Sequence, residues 1–310
     1  MTVLALHVDS TGFAAGRADD DSDTDSIRRI PLPEHSVWQH CRELLLEVAA
    51  GAEVSAVGIA SAGPVDMAAG VVAPIDVPEW RTGFELAQSV RKLFPSAEVQ
   101  LAYEGLCLAM AERHLGGATE AVDTLTILLS DRVSGGITAG GLSLAGRTGN
   151  AGHIGHLLVP GFDDPCSCGN RGCLEAIAGG RALIDRARRD GWVGSSIDAL
   201  VAAAHAGDAV VGAAFGRAGV ALGLAISSVA ALLDIDLVIV GGKLSSSGST
   251  LWTPLHKTVA EHAKLAFLPG LRVIPSHLGD VGALAGAGVL GMLIGAAAQG
   301  PRPTSSSAGQ

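Results

Sequence analysis

Three cysteines and two histidines between positions 153 and 173 carry the clearest chemistry in this chain. His153-Ile154-Gly155-His156 leads into Cys166-Ser167-Cys168-Gly169-Asn170-Arg171-Gly172-Cys173-Leu174-Glu175. Three thiolates and one imidazole complete a tetrahedral zinc shell. Cys166 and Cys168 share one turn, and Gly169 and Gly172 let the backbone bend back to Cys173. A Cys166–Cys168 disulfide would close too short a ring for relaxed geometry. One of the two histidines supplies the fourth ligand. Glu175 stands two residues beyond Cys173, so the metal loop also aims a carboxylate.

The elements that must position this loop read as α/β. The length of 310 residues suffices for two domains and a large core. Strand patterns fall at Leu4–Val8, Ala56–Ala60, Val99–Ala102, Thr124–Leu129, Gly136–Ala139, Leu237–Val240 and Leu271–Ile274. Helical spacing falls at Ser36–Ala50, Phe84–Leu93, Tyr103–Leu115, Ala199–Ala206 and Ala209–Leu233. Strands alternating with helices define the α/β class. Direct matching reveals no internal repeat. A weak parallel, strand then polar turn, recurs at Asp9, Ser130 and Gly241.

Composition narrows the function. A formal charge of −10 argues against a nucleic-acid surface. Clustered cysteines fit a metal in a reducing, cytoplasmic compartment rather than a disulfide framework. The chain begins as a strand, without the basic start of a signal peptide. Val281–Ala298 is free of charge but rich in Gly and Ala, and reads as a buried helix, not a membrane span. The acidic cluster Asp19, Asp20, Asp21, Asp23 and Asp25 reads as a solvated loop. The tail at 299–310 reads as disordered.

Gly149-Asn150-Ala151-Gly152-His153-Ile154-Gly155-His156, followed by the C-x-C-G-x-x-G-C-x-E loop, resembles the ROK family of repressors, open reading frames and sugar kinases. Three further segments carry the likeness over about residues 1–298. They are the turn Gly58–Asp66 with Gly63, Val238-Ile239-Val240-Gly241-Gly242, and Gly279–Leu284. The resemblance implies a two-lobed, actin-like (ribonuclease-H-like) sugar-kinase fold with a structural zinc loop. The small lobe would span 1–117, completed by the helix at 281–298, and the large lobe 118–280.

The resemblance also implies roles. Zinc ligands would be His156, Cys166, Cys168 and Cys173. His153, His156, Glu175 and Gly63 would line a sugar pocket, with His153 standing where the family usually has Glu. An imidazole cannot accept bidentately as a carboxylate does, so hydroxyl preference should differ. Glu104, in Tyr103-Glu104-Gly105-Leu106, matches the general base of the family's Asn-Asp-Ala-Asn turn. It is one methylene longer, and a displacement of about 1 Å can cost on the order of a hundredfold in rate.

ATP and magnesium would meet Asp9, Gly12, Gly135, Gly136, Gly241 and Gly242. The phosphate loops depart from the pattern. Phe13 and Ala14 replace a hydroxyl and a cation, while Ser130, Asp131 and Arg132 replace Gly, Thr and Gly. Lys243 stands where another glycine is usual. A carboxylate about 4 Å from a phosphate costs roughly 4 kcal/mol at an effective dielectric near 20. The expectation is a protein that binds a hexose or N-acetylhexosamine with weak or absent ATP-dependent phosphorylation. The alternatives are an active glucokinase-like enzyme, a sugar-responsive regulator without its own DNA-binding domain, and a zinc-stabilised structural protein without ligand. A homodimer with neither nucleic-acid nor membrane partner is expected.

Overall fold

The computed structural model describes residues 2–18 and 27–298. The acidic cluster and the tail from Gln299 lie outside the described residues. The strands are β1 Thr2–Asp9, β2 Gly12–Arg17, β3 Arg28–Pro31, β4 Val54–Ser61, β5 Val65–Asp66, β6 Val71–Val72 and β7 Glu98–Tyr103. They continue as β8 Thr124–Leu129, β9 Val133–Ala139, β10 Leu142–Ser143, β11 Leu237–Gly241 and β12 Arg272–Pro275. The helices are α1 Val37–Ala49, α2 Leu86–Leu93, α3 Glu104–His114, α4 Glu175–Ala178 and α5 Gly180–Arg189. They continue as α6 Ile197–His205, α7 Ala209–Leu233, α8 Ser249–His262 and α9 Gly282–Ala298.

Two five-stranded sheets repeat one plan. The first runs β3-β2-β1-β4-β7 and the second β10-β9-β8-β11-β12. In each, a three-stranded antiparallel meander is extended by two parallel strands. The repeat that residue matching does not reveal is therefore present in backbone pairing. It hides because the shared requirement is apolar strand character, which many residues satisfy. The result is the mixed α/β, actin-like architecture.

Each sheet has its own core. Leu4, Leu6, Val57, Ile59, Leu101 and Leu108 pack with Leu284 and Ala287 of α9 in one. Leu125, Ile127, Val238 and Val240 pack with Leu222 and Ile226 of α7 in the other. By length and composition α7, not the 281–298 segment, is the helix able to cross a membrane. Its Val211, Phe215, Leu222 and Ile226 are instead fully buried in the second core.

Three helices, the one-turn α4 and the longer α5 and α8, escape the sequence patterns. Pro254 inside α8 breaks the helical signal. α5 is four-tenths arginine, with basic residues crowding its last turn, which masks a short apolar stripe. Tyr103 and Glu104 sit where β7 passes directly into α3. One strand end thus delivers both residues to the site.

Candidate functional site

The metal loop closes as its glycines demand. Gly169 and Gly172 have φ of 92° and 75°, a region that strains other residues. The Cys166 amide donates to the Asn170 carbonyl at 2.9 Å and the Gly169 amide to the Cys166 carbonyl at 3.0 Å. Ligand atoms of His156, Cys166, Cys168 and Cys173 all lie within 4.8 Å of one another. Cys168 Sγ and Cys173 Sγ are 3.7 Å apart, and Cys166 Sγ is 3.8 Å from His156 Nδ1. Zinc–sulfur bonds of about 2.3 Å in a tetrahedron place sulfurs roughly 3.8 Å apart. The donor set fits a tetrahedral zinc ion.

From His156 a stack of rings runs toward α3. The His156 and His153 centroids are 5.6 Å apart, and His153 lies 4.5 Å from Tyr103 at an interplanar angle of 18°. Gly63 makes room for this stack: a Cβ there would meet His153 Cε1 at 2.4 Å. Burial first, then the charge of His156, lowers the His153 pKa to about 4. The ring is neutral near pH 7, and its buried Nδ1 has no hydrogen-bond partner. It offers that nitrogen to a ligand or a water.

Beside the stack lies a cavity of about 280 Å³. Gly63, Tyr103, Glu104, His153, His156 and Glu175 line it, together with Ser10, Asp76 and Arg132. Glu104 is 3% exposed, and its Oε2 lies 3.0 Å from His7 Nε2. Burial opposes charge on His7, but the hydrogen bond to Glu104 and the nearby Asp9 and Glu104 prevail and hold its pKa above the ordinary value.

The predicted phosphate loop is occupied by ion pairs. Arg132 binds Asp76 through Nε and Nη2 at 2.6 and 2.7 Å, and Glu175 through Nη1 at 2.5 Å. Arg181 reaches Asp76 at 2.7 Å and Asp131 at 2.9 Å. The Ser10 hydroxyl donates to Asp131 at 2.6 Å. Burial would raise the Asp76 pKa, but Arg132 and Arg181 outweigh it and hold the carboxyl below its ordinary range. A planar guanidinium bound by two carboxylates is a strong, directional arrangement.

The remaining predicted residues take other places. Asp9 Oδ1 accepts from the Thr11 amide, the Thr11 hydroxyl and the Gly12 amide. The β1–β2 turn therefore closes without positive φ at Thr11. Gly135 and Gly136 lie inside β9, packed against α3. A Cβ on Gly136 would meet the Gly105 carbonyl at 2.1 Å. Gly241 ends β11, and Gly242 turns with φ of 85° beside Lys243, which pairs with Asp198. Sequence reasoning passed over His7, Ser10, Asp76 and Arg181. An isolated His in a strand and an Asp between two prolines were the available signals.

A model of the ROK family matches residues 4–292. The chain belongs to the ROK family. This ROK chain is 28% identical over 320 residues to a glucokinase of Thermotoga maritima, covering 95% of this chain and 99% of that one. It is 30% identical over 268 residues to an N-acetylmannosamine kinase of Citrobacter koseri, covering 85% and 90%. A ROK glucokinase of Streptomyces griseus, solved with glucose and AMPPNP, superposes with a TM-score of 0.82 at 26% identity. That match covers 94% of this chain and 100% of that chain.

Proposed function

We propose that this ROK chain binds a hexose or N-acetylhexosamine in the 280 Å³ cavity and phosphorylates it with ATP weakly or not at all. The Asp131 carboxylate carries this reading. It sits in the loop that would cradle phosphate, already satisfied by Ser10 and Arg181. An incoming phosphate would have to compete with Asp131 for Arg181, and the buried Phe13 and Ala14 add no cation of their own. The ATP side therefore fits its ligand poorly.

The sugar side supports binding. The cavity approaches the lower end of small-molecule sites, about 300 Å³, and suits a single ring. His153 and Glu104 offer hydrogen-bonding groups, and the Tyr103–His153 stack offers a flat wall. Zinc at His156, Cys166, Cys168 and Cys173 would cross-link the loop that ends in Glu175. Glu175 gives one oxygen to Arg132, which fixes its carboxylate for a ligand hydroxyl.

An active kinase is the second reading. It is favoured by Glu104, a buried carboxylate that lines the cavity. In that case Glu104 accepts the proton of the attacking sugar hydroxyl. We further place the chain in the cytoplasm as a homodimer, with its thiols reduced.

Calorimetry with glucose and N-acetylmannosamine, each with and without ATP–Mg, tests the reading. Sugar heat with little or no nucleotide heat is expected. Tight ATP binding with sugar-dependent ADP release would contradict the weak-transfer claim, and absence of sugar heat would contradict the binding claim.

A further inference from the structure

We propose that His7 is the positioning residue for Glu104, fixing its carboxylate at the sugar cavity. The two residues are 97 positions apart, on β1 and at the first turn of α3. Their side chains are nearly enclosed, with residue exposures of 7% and 3%. A buried carboxylate without a partner is strongly destabilised. Among the described residues, His7 is the hydrogen-bond partner of the Glu104 side chain.

The pair stands between two cavities. Glu104 lines the 280 Å³ sugar cavity. His7 lines a second one of about 230 Å³ with Asp9, Thr11, Gly12 and Arg29. The bond to His7 takes Glu104 Oε2 and leaves Oε1 for a ligand hydroxyl. Glutamate carries one more torsion than aspartate, so an untethered carboxylate would sample several positions. The His7 Nε2 contact removes that freedom. Two residue choices that look independent in sequence, His at 7 and Glu at 104, become one device.

This inference rests on the proposed function, because the hydroxyl presented to Glu104 is that of the bound sugar. Its failure is separable. The experiment uses the full chain, wild type beside His7→Leu, His7→Gln, Glu104→Gln and the double variant His7→Leu/Glu104→Gln. Calorimetry reports sugar binding, sugar-dependent ADP release gives kcat and KM, and imidazole nitrogen NMR reports on the His7 ring.

We expect a His7 ring signal that changes in Glu104→Gln and moves again on saturation with sugar. In any sugar turnover, His7→Leu should lower kcat by about 10- to 100-fold at little-changed KM. His7→Gln, which keeps a donor, should recover part of the loss. In the Glu104→Gln background His7→Leu should add no further loss, because the two act as one unit. A His7 signal indifferent to bound sugar overturns the inference, with or without turnover. So does a His7→Leu effect confined to KM, or one additive with Glu104→Gln. Absence of sugar heat in the wild type overturns the functional reading and this inference with it.

Discussion

At the scale of single residues, the proposed weak phosphoryl transfer turns on Asp131. Its carboxylate is held by Ser10 at 2.6 Å and Arg181 at 2.9 Å, so it is fixed rather than free to swing away from a phosphate. Asp131→Thr restores the family's hydroxyl and removes the charge. We expect ATP–Mg affinity to rise by at least about tenfold, since even 1.4 kcal/mol of relieved repulsion gives that factor. Unchanged nucleotide heat in this variant would show that Asp131 is not the obstacle. Asp76 makes a second, pH-dependent prediction. Its folded pKa is depressed, despite burial, by Arg132 and Arg181. The associated stability is present above an unfolded value of about 3.9 and lost as pH falls below it. Urea midpoints of wild type and Asp76→Asn should converge as pH drops from 5 toward about 2. A constant gap would mean that the Asp76 charge does not stabilise the fold. At this scale the gathering of His156, Cys166, Cys168 and Cys173 was legible because thiols at that spacing have few other uses. Asp76 and His7 were not, because single polar residues acquire meaning from partners far away in sequence.

Elements explain why the site has its shape. The short helix ending in His156, the cysteine loop and the start of α4 form one unit, joined by the Val159 amide to the Gly172 carbonyl, the Leu174 amide to the Leu157 carbonyl and the Ala176 amide to the Cys173 carbonyl. That unit presents Glu175 and the His156 and His153 rings, the latter stacked on Tyr103 of β7. Metal binding should therefore order the sugar wall as well as the loop. Cys168→Ser, at the most exposed ligand, should reduce zinc content below one ion per chain and weaken sugar binding in the same preparation. Full sugar affinity in a zinc-depleted Cys168→Ser protein would contradict the coupling. Most strands and the long α7 were readable because apolar runs and helical periodicity are local signals. α8 was not readable, because a proline within a helix depends on what packs against it. Gly219 of α7 accommodates it: a Cβ there would stand 2.8 Å from Pro254 Cγ. The position of the glycine pair Gly135-Gly136 was readable but not its packing. Their part in seating β9 against α3 is visible only in the folded chain.

For the whole molecule, the repeated sheets bring two sets of residues together across a cleft. Ser10 and Asp76 come from the first half, and Asp131, Arg132, Glu175 and Arg181 from the second. These bonds bridge the two halves of the chain directly. The two-sheet plan was legible as a fold class, and the family through its central motif, but the bridge was not. It depends on which strand ends face each other. We propose that this ROK scaffold holds a sugar without efficient phosphoryl transfer. The most direct test is sugar-dependent ADP release at saturating sugar and millimolar ATP–Mg. Wild-type turnover should fall at least about 100-fold below the roughly 10 s⁻¹ typical of enzymes. Turnover near 10 s⁻¹ would contradict it.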